Sequence, residues 1–472
     1  PSSGWASPSG SEMSNARGID GLVINDLDYY EISSTNKVLW IAAKSGAAFA
    51  TGYDPTDPTS VATAAGWVFP IYPAGDGAPP TAVAIDPSNK ALALIGNGKV
   101  YRNPTSDGST GLPDVANNWS RVFDPNNATF SGPGEPLESA RTERSYSTDL
   151  KWLSTPTCDR IYHSVANTDT GLEGGIFYSD DKGLSWTADT LNGSSPLLKM
   201  PVNSLLVKNN FIWAGVGDRN GRSSETGIRA RLSLCGSSSW WEPTHTDPLF
   251  STIQSSYIAD VDGVDTPTST TISGVVYIAS ESLVIKGELL NSATCTSSGF
   301  ACWQFYDVTP AAYESFSSVV IEPNDPDHVW VAFGNCIKET TDSGATWSEF
   351  GGSCVDNHED IKVLVYDDLI AGTSSGAFAY SQAPENASPV LVVPSAATVE
   401  ATGPNGIAIT DESVASFLSE AVASDSEDGD LTANISNDLG EFAELGENIV
   451  TFSVADSSGD LITASVVLTV SD

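Results

Sequence analysis

A short apolar strand returns seven times along most of this chain: VLWIAA from Val38, ALALIG from Ala91, RIYHSVA from Arg160, FIWAGV from Phe211, VVYIAS from Val275, HVWVAF from His328 and DLIAG from Asp368. After each comes a glycine-rich or polar turn and a second strand, among them AAFATG, KVYRNP, GIFYSD and CIKETTDS. Before it lies an earlier strand, such as AVAIDP from Ala82, SLLVKN from Ser204, SVVIEP from Ser318 and KVLVYDD from Lys362. A unit that recurs in this way cannot bury its apolar faces alone, so it folds by stacking on copies of itself.

A tryptophan opens a fourth strand in six of the units, at Trp67, Trp119, Trp186, Trp240, Trp303 and Trp347, with successive spacings of 52, 67, 54, 63 and 44 residues. The seventh unit, 357–383, lacks its fourth strand. Gly4-Trp5-Ala6 at the other end of the chain has the look of the missing piece. The expected fold is all-β: a seven-bladed β-propeller over residues 1–383, closed by its N-terminal strand. Radial repetition with closure leaves few free strand edges, which makes such a ring stable.

Composition sets the setting. The 472 residues carry 60 Asp and Glu against 21 Lys and Arg, a formal charge of −39. Nucleic acid needs a basic stripe, and anionic membranes repel such a surface, so neither is an expected partner. The last Arg is Arg231 and the last Lys is Lys362; from Pro384 onward there are 16 acidic residues and no basic one. Salt or bound cations are expected to screen that segment. A hydrophobic content of 40% supplies a packed core and excludes a wholly disordered chain. The chain has six cysteines and no CxxC, which points to disulfides outside the cytosol. Their places in the repeat pair 158–235, 295–302 and 336–354. There is no apolar run of the ~20 residues that a membrane span needs. The opening PSSGWASPSG reads as the start of a processed mature chain, secreted or at the cell surface.

Two turns share an eight-residue pattern. Ser179-Asp180-Asp181-Lys182-Gly183-Leu184-Ser185-Trp186 and Thr340-Thr341-Asp342-Ser343-Gly344-Ala345-Thr346-Trp347 both fit S/T-x-D-x-G-x-x-W; Ser233 to Trp240 keeps the spacing with Cys235 in place of Asp. This resembles the Asp-box (BNR) repeat of sialidases, other glycosidases and sortilin-like receptors. The physical reading is local. Asp181 and Asp342 accept turn N–H groups, Gly183 and Gly344 supply positive φ, and the indoles pack between strands. In the family these turns lie away from the catalytic pocket, so they imply structure rather than a ligand site. The resemblance does not carry sialidase activity with it. That family spreads three substrate-clamping arginines around the ring, and this chain has none after Arg231.

Pro384-Glu385-Asn386-Ala387-Ser388-Pro389 reads as a linker, and 390–472 as a second domain. VLVVP, ATVEA, IAIT, ENIVTFSVAD and ITASVVLTVSD are period-2 or apolar strand runs, expected to form a small antiparallel sandwich. The stretch 423–432, with Leu445-Gly446-Glu447-Asn448 and Val454-Ala455-Asp456-Ser457-Ser458-Gly459, resembles HYR or bacterial Ig-like modules, which act as spacers or adhesive units. Asp425, Asp428 and Asp430, with Glu427, are candidate Ca²⁺ ligands, since calcium takes 6–8 oxygens. A solvated acidic turn is the competing reading.

Ligand sites of propellers gather at the mouth of the central channel. The candidates on that face are Arg17 and Asp20 before the first unit, Arg141, Glu143, Arg144 and Tyr146 before the third, Asp218, Arg219, Arg222 and Glu225 in the fourth, Tyr257 and Asp260 before the fifth, and His358, Glu359 and Asp360 before the seventh. An Arg can clamp a carboxylate bidentately, and a buried Glu or His can move a proton. Ordinary rim salt bridges account for the same residues in the plainer reading. His163, inside RIYHSVA, reads as a packed strand histidine. Two functions stay open. One is a secreted hydrolase or lyase cutting a polysaccharide at the channel mouth. The other is a non-catalytic adhesion, cell-surface glycan-binding or assembly protein with an extracellular protein partner.

Overall fold

The computed structural model describes residues 4–6, 23–33, 36–44, 46–54, 67–68, 80–103, 119–123, 145–155, 158–167, 174–191, 195–196, 200–208, 211–217, 225–232, 240–241, 245–267, 272–290, 299–311, 315–350, 354, 360–366, 369–374, 376–381, 388–425, 428–457 and 459–472. The architecture is all-β apart from two short α-helices and 3-10 turns among the described residues. The chain divides into two compact units, Ser2–Gln382 and Ala383–Asp472.

Among the described residues the first unit holds seven antiparallel sheets of three or four strands in chain order, and a two-stranded pair, Thr190–Leu191 with Ser195–Pro196. Sheet one is Ile24–Ser33, Asn36–Ala43 and Gly46–Tyr53; sheet two is Ala82–Asp86, Asn89–Gly96, Val100–Arg102 and Ser120–Phe123. Sheet three runs Ser145–Thr155, Cys158–Asn167, Gly174–Ser179 and Thr187–Ala188, and sheet four Val202–Val207, Phe211–Val216 and Gly227–Leu232. Sheet five is Ile258–Pro267, Ile272–Ser280, Val284–Leu289 and Trp303–Asp307; sheet six is Phe316–Glu322, Asp325–Phe333, Cys336–Thr340 and Ser348–Glu349. Sheet seven joins Ile361–Val365, Ile370–Thr373 and Ala377–Ser381 to Gly4–Ala6 from the start of the chain, with Trp5 opposite Tyr380.

The second strand of each sheet is apolar without alternation because both of its faces are covered. In Phe211–Val216 every residue is buried, and in Asn36–Ala43 all but the first. A strand buried on both faces reads as a continuous apolar run. Seven apolar clusters fill the spaces between sheets, one to each space. Trp40 and Phe49 of sheet one meet Ile85 and Trp119 of sheet two. Trp213 of sheet four meets Ile278 and Trp303 of sheet five. The last cluster joins sheet seven to sheet one through Ile370, Ala377, Leu27 and Leu39. The indoles of Trp67, Trp119, Trp186, Trp240 and Trp303 are all buried in these spaces.

For two of the expected fourth strands, those opened by Trp67 and Trp240, most residues lie outside the described ones. Beside Trp67 the described residues end at Val68, which pairs with Phe49 in an antiparallel bridge. Beside Trp240 the described residues supply a single bond, Trp241 N–H to the Ala230 carbonyl at 2.8 Å. A helix, Pro248–Gln254, also precedes sheet five. Its start was written in Asp247-Pro248. The Asp247 side chain accepts the Leu249 N–H at 2.9 Å, and proline fits the first helical position.

The second unit has a four-stranded sheet of Ala397–Glu400, Leu461–Ser471, Gly446–Ala455 and Ser436–Asn437, a three-stranded sheet of Val390–Val392, Val422–Asp425 and Gly429–Asp430, and a two-stranded pair. Two features depart from a simple antiparallel sandwich. Ala397–Glu400 pairs in parallel with Leu461–Ser471. A helix, Glu412–Ser419, is capped by Asp411 and buries Val414 and Phe417 against Val450 and Phe452. In a period-2 reading its apolar residues, three apart, were hidden.

Candidate functional site

The opening strands of sheets one, three, four, five, six and seven line a polar cavity of about 350 Å³. Neighbouring opening strands of consecutive sheets lie side by side. Six of the seven carry a β-bulge at one place, at Asn25, Thr148, Asn203, Ala259, Ser317 and Lys362. A bulge bends its strand and re-aims the side chain that follows. The following residues are Asp26, Asp149, Ser204, Asp260, Ser318 and Val363.

Five of these six side chains bridge to the next sheet. An opening strand has one edge outside its own ladder, and its buried N–H groups need acceptors. Asp26 Oδ2 accepts the Val83 N–H at 2.9 Å, and Asp149 Oδ2 the Leu205 N–H at 3.0 Å. Ser204 Oγ accepts the Val261 N–H at 3.2 Å, Asp260 Oδ2 the Val319 N–H at 3.0 Å, and Ser318 Oγ the Leu364 N–H at 3.1 Å. Two further carboxylates repeat the contact one pleat along: Asp28 Oδ2 with the Ile85 N–H at 2.7 Å, and Asp262 Oδ2 with the Ile321 N–H at 3.0 Å. Asp260 is the fullest of these clamps, since it also accepts the Ser204 and Ser318 hydroxyls, each at 2.7 Å.

Burial raises several of these carboxyl pKa values. Asp26 is pushed up to about 8, by burial first and then by the Asp149 and Asp28 charges, against the pull of Lys151 and the Val83 N–H. Asp28 is pushed up to about 6 by burial, opposed by the Ile85 N–H and Lys151. Burial also raises Asp260, against its hydroxyl donors. Desolvation works against the Lys151 ammonium, modestly so since its side chain keeps 44% of its surface exposed, and Asp149, Asp26, Asp28 and Asp260 hold its pKa above the ordinary lysine value. Lys151 Nζ lies 3.1 Å from Asp149 Oδ1.

Of the rim candidates, Arg17, Asp20, Arg141, Glu143, Arg144, Asp218, Arg219, Arg222, His358 and Glu359 lie outside the described residues. Tyr146 is in the first strand of sheet three, opposite Ala166. His163 is fully buried against Phe123, Phe177 and Trp186, and burial pushes its pKa down to about 4, as befits a packed histidine. Asp425, Asp428 and Asp430 serve turns. Asp425 Oδ1 accepts the Asp428 N–H at 2.9 Å, Asp428 accepts the Ser457 N–H and hydroxyl, and Asp430 accepts the Thr432 N–H. Among the described residues, no three acidic, histidine or cysteine side chains gather as a cation-binding set. The sequence reading singled out rim loops and passed over Asp26, Asp28, Asp149 and Lys151. The signal was a polar residue at one place in successive first strands: INDLD, STDLK, VNSLL, IADVD, FSSVV.

The two eight-residue turns have one hydrogen-bond pattern. Asp181 Oδ1 accepts the Ser179 hydroxyl and the Ser185 N–H, both at 2.8 Å, and Asp342 Oδ1 does the same with Thr340 and Thr346. These donors hold both carboxyls below the usual range, against the opposing effect of burial, which comes first for Asp181. Gly183 and Gly344 stand at φ +83° and +88°, and an added Cβ would meet Leu94 at 2.5 Å and Val308 at 2.6 Å. Both turns therefore dock on the preceding sheet. Cys336 and Cys354 form a disulfide with Cα atoms 4.3 Å apart, as their places in the repeat predicted. Cys158 is also disulfide-bonded, while Cys235 and Cys295 lie outside the described residues. No helix among the described residues is long and apolar enough to cross a membrane.

No protein-family model and no curated protein matches this chain. Among solved structures it is similar to the extracellular domain of a one-component system from B. thetaiotaomicron, at 10% identity and a TM-score of 0.42. That match covers 96% of this chain but 56% of that extracellular domain. A polysaccharide lyase of family 25, an ulvan lyase, is matched at 10% identity over 77% of this chain and 95% of its own, with a TM-score of 0.42. A luciferin-regenerating enzyme is matched at 10% identity over 77% and 92%, with a TM-score of 0.38. Likenesses this distant assign no activity to the chain.

Proposed function

We propose that this chain is an extracellular protein that acts on a polysaccharide at the mouth of a central channel, as a hydrolase or lyase. In this reading residues 1–383 are a seven-bladed β-propeller closed by the N-terminal strand, with Asp-box turns on its outer part. Residues 390–472 are an Ig-like spacer. The observation that carries the reading is the succession of seven sheets, six of whose opening strands line one polar cavity, with a last interface that returns to sheet one. The twin turns and the disulfide, a mark of oxidising compartments, support the rest. A polysaccharide is longer than a cavity of about 350 Å³ admits, so it meets the loops at the rim. Arg144 is assigned to clamp a substrate carboxylate or hydroxyl, and Tyr146, Glu143, His358 and Glu359 to bind and move protons.

One observation favours a second reading, a glycan-binding adhesion or assembly protein. The five carboxylates lining the cavity are all engaged in bonds to neighbouring backbone, which suits a scaffold rather than a reacting group. A glycan array run beside depolymerisation assays on algal and plant polysaccharides separates the two. New reducing ends, or an unsaturated sugar product, support catalysis. Binding without turnover establishes the second reading, and neither binding nor turnover contradicts both.

A further inference from the structure

The ladder of side-chain clamps between opening strands has two gaps, one at Val363 between sheets seven and one, and one between sheets two and three. Ala82 stands there at the clamp position, and a methyl group accepts no N–H. The opening strand of sheet three carries Lys151 beside this gap, facing the cavity. Its ammonium bonds Asp149 on its own strand and acts electrostatically on Asp26 and Asp28 of sheet one and on Asp260 of sheet five. Asp26 and Asp28 are the two residues that hold sheet two from the other side, through Val83 and Ile85. We propose that Lys151 is the resident counter-cation of the cavity carboxylates, and that together they form a pH-controlled lock on sheets one to three.

The remaining charges facing the cavity are few and engaged elsewhere. On sheet four Lys208 lies 3.7 Å from Asp262 of sheet five, and on sheet seven Lys362 lies 3.4 Å from Asp360. Sheet six contributes Ser317, Ser318 and Pro323 and no charge; Tyr29 and Tyr366 complete the titratable lining. Lys151 is therefore the cation placed to balance Asp26 and Asp28. When those two carboxyls hold protons, Lys151 has chiefly Asp149 beside it to balance. As they ionise, the lock depends on it more. The relevant range is set by burial, which pushes Asp28 to about 6 and Asp26 to about 8.

The test is a melting comparison of the full chain with Lys151→Met, and with Lys44→Met as an exposed control on sheet one. The loss in melting temperature from Lys151→Met should roughly double or more between about pH 5.5 and about pH 8, because the unbalanced carboxylates ionise over that range. Lys151→Arg should restore most of it, and Lys44→Met should give one small value throughout. An equal loss for Lys151→Met at both pH values would overturn the proposal. If Lys151→Met does not fold at either pH, adding Asp26→Asn and Asp28→Asn should recover folded protein, and failure of that rescue would also overturn it. None of these readouts depends on a glycan, so the lock and the proposed function fail separately.

Discussion

Asp260 receives four hydrogen bonds, two from serine hydroxyls on sheets four and six and two from backbone N–H groups. Asparagine in its place keeps one acceptor oxygen and turns an amide toward a group that also donates. Asp260→Asn should therefore lower unfolding free energy by about 1–3 kcal/mol, the cost of leaving a buried donor unmet. Urea denaturation measures this, and a change below about 0.5 kcal/mol, the range of ordinary surface substitutions, would contradict the clamp. At this scale the sequence spoke unevenly. Asp181 and Asp342 announced their turns because the motif is local: serine or threonine, carboxylate and glycine are within five residues of one another. Asp26 and Asp149 did not, because the N–H each one accepts lies 57 or 56 residues away.

Among the elements, the strand at Gly4–Ala6 does most for its size. Its three residues pair with Ala379, Tyr380 and Ser381, and without them Ala377–Ser381 would be an open edge. Deleting residues 1–10 should lower the melting temperature of the first unit and raise its rate of proteolysis. An unchanged melting curve would contradict the role of this strand as a latch. The strands were legible because each is a long apolar run between turn signals. The two helices were not, being short and lying in polar text.

For the whole molecule, the buried titratable groups give stability a direction with pH. Asp26 at about 8 and Asp28 at about 6 both lie above the ordinary 3.8, so the folded chain holds protons that the unfolded chain has released. Stability from these two groups is highest at acid pH and falls as pH rises toward about 8. His163, pushed from 6.5 down to about 4, works the other way between those values, because the unfolded chain takes up its proton first. Above pH 6.5 His163 is neutral in both states, and of these three groups only the two carboxyls still titrate. Melting temperature should fall from about pH 6.5 to about pH 8, and Asp26→Asn should flatten that slope. A rising temperature over this interval would contradict the burial of Asp26. Whether a polysaccharide is handled at the channel rim is tested most directly by Arg144→Ala and His358→Ala, assayed on a glycan that the native chain binds or cuts. The account predicts that both variants keep the native melting temperature within a few degrees, as surface changes do, and lose binding or turnover. Full retention of both in the two variants would contradict it.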